Sequence, residues 1–194
     1  MNTQKNQFAA PVIVLSAICL VVSIALAFTN RVTSSIIEAN NEATAAAART
    51  QLLSAADSFT KVEDVTPETG ATSEDGKATV QDAYAADNGA GYVMTVKTSS
   101  FGGALTMMVG LDSEGAITGV TVTEHADTPG VGTKDMEPDY LAQYQGMSEL
   151  SSAANIKKEA APFVYISGAS VSGQAIHSGV AAALSQYAAM GGAQ

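Results

Sequence analysis

The hydrophobic rhythm of the chain changes three times. From Phe8 to Phe28 it reads FAAPVIVLSAICLVVSIALAF, apolar apart from Ser16 and Ser23 and free of charge. A helix of that length crosses a hydrocarbon core of roughly 30 Å. Over 31–65 the apolar positions thin to Ile36/Ile37, Ala45/Ala48, Leu52 and Ala56 among good helix formers. This predicts a membrane-proximal helix that continues from or follows the first. Residues 66–90 are polar, acidic and rich in turn formers, and read as a connecting segment with one short strand near Thr79–Ala83.

From Gly91 the period falls to two, which predicts strands at Gly91–Thr98, Gly103–Leu111 and Ala116–Thr123. Asp112-Ser113-Glu114-Gly115 between the last two reads as a hairpin turn, with Gly115 at the position that needs positive φ. Met107, Met108, Leu111, Ile117 and Val120 are read as packing residues. A short helix is expected at Asp139–Tyr144, N-capped by Asp139, and a final strand at Phe163–Ile166. Ile176, Val180, Leu184 and Tyr187 recur at helical spacing, so Ser172–Met190 reads as an amphipathic helix. The predicted fold class is α+β: an N-terminal transmembrane helix and helical neck, then a twisted antiparallel sheet with flanking helices. The segments are 1–30, 31–65 and 66–194.

The apolar run changes the choice of compartment. Pro11 lies near its start, where a missing amide donor costs little. A retained anchor in contact with lipid through residues 8–28 is the reading taken, against a signal peptide cut after the small-x-small tripeptide Ala25-Leu26-Ala27. Lys5 and Arg31 lie on opposite sides and hardly bias orientation. The tiny N-terminal tail is placed in the cytoplasm and the large acidic part outside. The lone Cys19 excludes a disulfide framework, and Ile18 before it excludes a lipoprotein cleavage site. A buried, inert thiol is expected there. A net charge of -10 with only nine Lys and Arg leaves no basic surface for nucleic acid.

Two short stretches carry candidate chemistry. In SGASVSG, Ser167, Ser170 and Ser172 surround Gly168 and Ala169 between the predicted strand and helix. A capped turn, a phosphate seat on the helix N-terminus, or an esterified hydroxyl all suit this segment. In HADTPGVG, His125, Asp127 and Thr128 gather at a strand end, followed by the turn formers Pro129, Gly130 and Gly132. A connecting loop with a surface histidine is the plainer alternative. The nucleophile elbow of serine hydrolases is missed because Ser172 stands where its second glycine should be. Ser58-Phe59-Thr60-Lys61 matches an S-x-x-K pattern without its companion motifs. His177 reads as a helix-face residue.

In order, these features resemble one family, the G subunit of the Rnf ion-translocating ferredoxin:NAD oxidoreductase, related to the C subunit of the sodium-pumping NADH:quinone reductase. GYVMTVKTSSFGGALTMMVGLDSEGAITGVTVTEH resembles the family's sheet. HADTPGVG is similar to its His-x-Glu-Thr-Pro-Gly-Leu-Gly loop, with Asp127 and Val131 in the Glu and Leu positions. SGASVSGQAIHSGVAAAL is similar to its Ser/Thr-Gly-Ala-Thr segment and following helix. The resemblance implies an FMN-binding domain in 66–194 and an electron-transfer role inside a membrane complex with other membrane subunits. It implies FMN held by a phosphoester on Ser170, made by a separate flavin transferase. Ser167, Gly168, Ala169, Ser172, Thr128, Pro129, Gly130, Gly132 and His125 are then the expected surroundings of the cofactor. Two positions depart from the family pattern: Ser170 replaces Thr, and Val164 stands where an Asp is usual. A flavin-free extracytoplasmic binding or assembly module of the same fold is the alternative function.

Overall fold

The structure, a computed structural model, describes residues 3–152, 163–164 and 166–192. The chain divides into two compact units, Met1–Thr44 and Ala45–Gln194. The first is the greater part of helix α1 (Thr3–Leu52). Its stretch Pro11–Arg31 is long and apolar enough to cross a membrane, and none of it is buried within the protein. Side-chain hydroxyls here turn back on the helix: Thr29 Oγ1 donates to the Ala25 carbonyl at 2.9 Å and Ser34 Oγ to that of Asn30 at 2.7 Å. Such back-bonding leaves no hydroxyl of these two residues in need of water. Cys19 is exposed, not buried as expected, because it lies in this uncovered apolar stretch.

The second unit is built on an antiparallel sheet in the order β1-β2-β3-β4-β5. Its strands are β1 (Phe59–Lys61), β2 (Thr79–Ala86), β3 (Gly91–Ser100), β4 (Gly103–Asp112) and β5 (Ile117–Glu124). A 3₁₀ turn at Gly132–Met136, helix α2 (Pro138–Leu141), a second 3₁₀ turn at Ala142–Tyr144 and helix α3 (Ser170–Ala189) follow. The three strands read from period two are present, as is the Asp112–Gly115 turn, with Gly115 at φ 83. The five residues read as packing residues are all buried.

Both faces of the sheet are covered, so alternate residues enter different cores. Met94, Met107 and Val109 join α3's Ile176, Val180 and Leu184 on one side. Val93 and Met108 face the last turns of α1, meeting Leu52 and Leu53. A central strand buried on both faces reads as an unbroken apolar run, as LTMMVGL in β4 does. The α1 side has a fitted notch. Gly110 of β4 pairs with Gly119 of β5, and a Cβ on either would stand 3.0 Å from the Leu52 side chain. Thr118 Oγ1 donates to the Leu52 carbonyl at 2.6 Å, and Arg49 lies 3.9 Å above the Tyr84 ring.

Several expectations change. The helix of 31–65 ends at Leu52, where Thr118 takes the terminal carbonyl, and Phe59–Lys61 is an edge strand. The S-x-x-K serine, Ser58, donates to Asp87 at 2.5 Å. The supposed connecting segment contains the full strand β2. Its buried residues Val80, Ala83 and Ala86 are three apart because a register shift lies between Val80 and Asp82, which hides the alternation. The short helix begins at Pro138, whose fixed φ suits the first helical position, with Glu137 and not Asp139 before it.

Phe163, Val164 and Ile166 are irregular, and Tyr165 lies outside the described residues. The outer edge of β5 is already taken at Ile117 by Gly146 and Met147. The Val164 amide goes instead to Gln143 Oε1 at 2.8 Å, and Phe163 packs edge-on against His177 at 4.8 Å. Finally, α3 is buried nearly all round, not amphipathic: its Ala181–Leu184 stretch is wholly enclosed.

Candidate functional site

Three chain segments meet at the start of α3. The first is the turn between β3 and β4, where Ser100 pairs with Gly103 and Phe101-Gly102 form the tip. The second is the loop after β5, Glu124 to Val131. The third is the Gly168-Ala169 approach to α3. Gly102 has no room for a side chain, since a Cβ there would strike the Ala126 carbonyl. Gly132 is equally constrained: its Cβ would lie 2.9 Å from Ser172 Oγ and 3.0 Å from Asp127 Oδ2.

Asp127 ties the segments together. It is only 5% exposed, and its carboxylate accepts hydrogen bonds from Ser100 Oγ, the Gly102 amide and, at 2.7 Å, Ser172 Oγ. Burial pushes its pKa up, but Ser100, Ser172, the Gly102 amide and nearby His125 outweigh that and hold it below the usual carboxylate range. Asp127 is therefore an ion at neutral pH. A second carboxylate, Asp135, is 1% exposed and lies against the first turn of α3. Glycine at 173 is required beside it, because a Cβ would sit 2.8 Å from Asp135 Oδ2 and 2.9 Å from the Tyr140 hydroxyl. Burial pushes the Asp135 pKa up to about 6; the Gly173 amide opposes the rise and the charge of Asp127 adds to it. Its Oδ1 has no hydrogen-bond partner among the described residues. The same burial, with Asp135 adding to it, pushes Tyr140 to about 12.

The helix itself begins without a local cap. Ala169 precedes it, and neither Ser167, Ser170 nor Ser172 caps its amides; Ser172 is committed to Asp127. The amides of Ser170, Val171 and Ser172 have no acceptor among the described residues, and Gly173 is the first to find one, on the Ala169 carbonyl at 3.0 Å. The half-buried Ser170 hydroxyl also makes no hydrogen bond among those residues. Gly168 adopts φ 92 with open space where a side chain would be. A helix start with free amides, an unengaged hydroxyl and an open glycine can take a phosphate or a phosphoester.

A cleft of about 220 Å³ opens here, lined by Phe101, Asp127, Thr128, Val131, Gly132, Gly168, Ala169, Val171 and Ser172. Of the residues expected from the sequence, Thr128, Gly132, Gly168, Ala169 and Ser172 line it. Ser167 and Ser170 border it along the chain, while His125, Pro129 and Gly130 are exposed outside its lining. Phe101 at 78%, Val131 at 50% and Val171 at 51% exposure form an apolar rim. That rim and the clamping role of Asp127 escaped the sequence reading. The adjacency of Phe101 to two glycines at a hairpin tip was the available signal. His177 is fully buried beside Phe163 and Tyr144, its Nε2 3.2 Å from the Ser151 carbonyl, so it forms no hydrolase triad with the α3 serines.

Comparison with known proteins bears on this site. Residues 100–185 match the FMN-binding domain family, a stretch that takes in the β3–β4 turn, the loop after β5 and most of α3. The chain is 29% identical over 207 residues to the G subunit of the ion-translocating oxidoreductase complex of Stutzerimonas stutzeri, covering 100% of this chain and 87% of the relative. It is 29% identical over 184 residues to the G subunit of the Na(+)-translocating ferredoxin:NAD(+) oxidoreductase complex of Acetobacterium woodii, covering 90% and 89%. Among solved structures, NqrC of Shewanella oneidensis aligns with a TM-score of 0.43 at 19% identity, over 56% of this chain and 61% of that one.

Proposed function

Because the chain belongs with the G subunits of Rnf-type ion-translocating oxidoreductases and carries an FMN-binding domain, we propose that it is an electron-transfer subunit with FMN esterified through its phosphate to Ser170. The observation that carries this reading is the start of α3: three amides and a Ser170 hydroxyl that find no partner among the described residues. Gly168 and Ala169 give the phosphate access, and the amides with the positive end of the helix dipole hold its charge. FMN supplies the electron-carrying chemistry, and the protein supplies attachment and orientation. The cleft is smaller than the roughly 300–1,000 Å³ of enclosed ligand pockets, so a flavin here rests partly in solvent or against a neighbouring subunit. A covalent anchor then matters more than an enclosing pocket.

In this reading Thr128, Gly132 and Ser172, which line the cleft, would hold the group, and His125, Ser167, Pro129 and Gly130, outside the lining, would border it. A flavin transferase makes the ester, other membrane subunits of the complex exchange electrons with the flavin, and residues 8–28 contact lipid. The N-terminus is cytoplasmic and residues 66–194 lie outside. Val164, 63% exposed where an Asp is usual, is the observation favouring a flavin-free module, since an apolar group there offers a transferase no charge to read. The intact mass and in-gel flavin fluorescence of protein from native membranes, beside Ser170→Ala, decide the matter. FMN mass on the wild type alone is the expected result. An unmodified wild type would replace this reading with the flavin-free module.

A further inference from the structure

The start of α3 is an unusual seat for a phosphate, because two acidic side chains from the preceding loop already crowd it. Asp127 lines the cleft and holds Ser172, two residues after Ser170 and within the same 5.4 Å turn of helix. Asp135 lies against Gly173, one residue further, with an oxygen that nothing among the described residues satisfies. Among the described residues no lysine or arginine acts on either acid; His125 is the neighbour that acts electrostatically on Asp127, and Tyr140 is the titratable neighbour of Asp135. Asp127 stands 2.7 Å from Ser172 Oγ, its charge already acts on Asp135, and charges closer than a Debye length of about 8 Å are poorly screened.

The form in which phosphate arrives therefore matters. A free flavin phosphate is a monoester and carries about −1.5 to −2 charge at neutral pH. Esterified to Ser170 it becomes a diester with a single ionisable oxygen and one negative charge. The three amides of α3 that lack an acceptor among the described residues suit either form, but the two carboxylates repel the monoester more strongly.

We propose that Asp127 and Asp135 act as a charge filter at the start of α3, disfavouring free flavin phosphate and tolerating it as the singly charged ester on Ser170. This rests on the reading of the cleft as a flavin site. The pair determines specificity between two states of one cofactor: it keeps loose FMN out of the cleft before attachment, so that loading proceeds through the enzyme-made ester. Phosphate-free flavin is not subject to the filter.

The test uses the full chain in detergent carrying Ser170→Ala, so that no ester forms, titrated with FMN and with riboflavin by fluorescence and equilibrium dialysis at pH 7.5. Riboflavin is expected to bind more tightly than FMN. Adding Asp127→Asn should tighten FMN binding at least tenfold and leave riboflavin within about threefold. Asp135→Asn, which leaves the Asp127 clamp in place, should shift FMN in the same direction, and it serves if Asp127→Asn does not fold. Equal changes for both flavins would mean the acids only shape the cleft, and no change for FMN would mean their charge is irrelevant; either result overturns the filter while the flavin site stands. Binding of neither flavin by any variant, with no flavin mass on the wild type, removes the flavin site and the filter with it.

Discussion

Asp135→Asn should stabilise this protein above pH 6 and lose that advantage, becoming slightly destabilising, by pH 4. The wild-type carboxyl ionises at about 6 in the folded chain against an ordinary value of 3.8, with burial as the leading cause and Asp127 as a contributor. The native state thus holds a proton that the unfolded chain has released. The stabilising contribution of that proton is complete below about 3.8 and is lost as pH rises through about 6. At about 1.4 kcal/mol per tenfold change in acidity constant, the loss amounts to about 3 kcal/mol at neutral pH. Asn keeps the size and removes the charge, but it brings an amide donor into a site where Asp135 Oδ1 has no partner among the described residues. Part of the gain is therefore returned as an unsatisfied group. The expected net effect at neutral pH is about 1–2 kcal/mol, or roughly 2–8 °C in Tm for a chain of this size. Urea unfolding of the full chain in detergent, wild type and variant, at half-unit steps from pH 4 to 8 measures it. The difference between the two curves isolates this residue from the other carboxylates. Parallel curves across the whole range, or a variant less stable at pH 8 than at pH 4 relative to wild type, would refute the buried-acid argument.

Other consequences can be measured on the same material. Asp127 titrates in the opposite sense: its lowered pKa contributes stability above about 3.8 that is lost as pH falls through its native value, so the difference between wild type and Asp127→Ala should shrink between pH 5 and pH 3. Gly110→Ala places a methyl 2.5 Å from Thr118 Oγ1 and 3.0 Å from the Leu52 side chain, and should destabilise by about 1–3 kcal/mol in denaturant titration. Phe163→Ala removes a ring packed on His177 and Tyr144, and should cost about 2–4 kcal/mol, with chemical shifts of the His177 ring moving in NMR spectra. No shift at His177 would mean that the ring contact is not formed in solution.

Much of the fold can be read from the sequence, and the failures have local causes. Strands β3, β4 and β5 announce themselves as dense apolar and β-branched runs bounded by glycines and turn formers, even though β4 is buried on both faces. β2 does not, because the shift between Val80 and Asp82 turns a period of two into buried residues three apart, in a stretch of alanines and acids that resembles a linker. Phe163–Ile166 has the composition of a strand, yet the described residues Phe163, Val164 and Ile166 are irregular and the Val164 amide goes to Gln143; composition shows preference, and pairing needs a neighbour. The two loops at the site were visible through their glycines and hydroxyls. Asp127's role was not, since a carboxylate in a Pro-Gly loop looks like any solvated turn residue until β3–β4 and α3 are folded against it.

The paired glycines under Leu52 have an evolutionary consequence. Gly110, Gly119 and Leu52 share one small volume, closed by the Thr118 hydroxyl on the Leu52 carbonyl. A side chain at Gly110 meets the Thr118 hydroxyl and Leu52 Cβ, and one at Gly119 meets the tip of the Leu52 side chain, so neither glycine can grow unless its neighbours give way. The readiest path is one on which Leu52 first shrinks and a glycine then gains a side chain. Descendants of this chain should therefore exchange bulk between the end of α1 and the β4–β5 pair, small facing large, and a lineage carrying Ala or Ser at 110 should carry a smaller residue than leucine at 52.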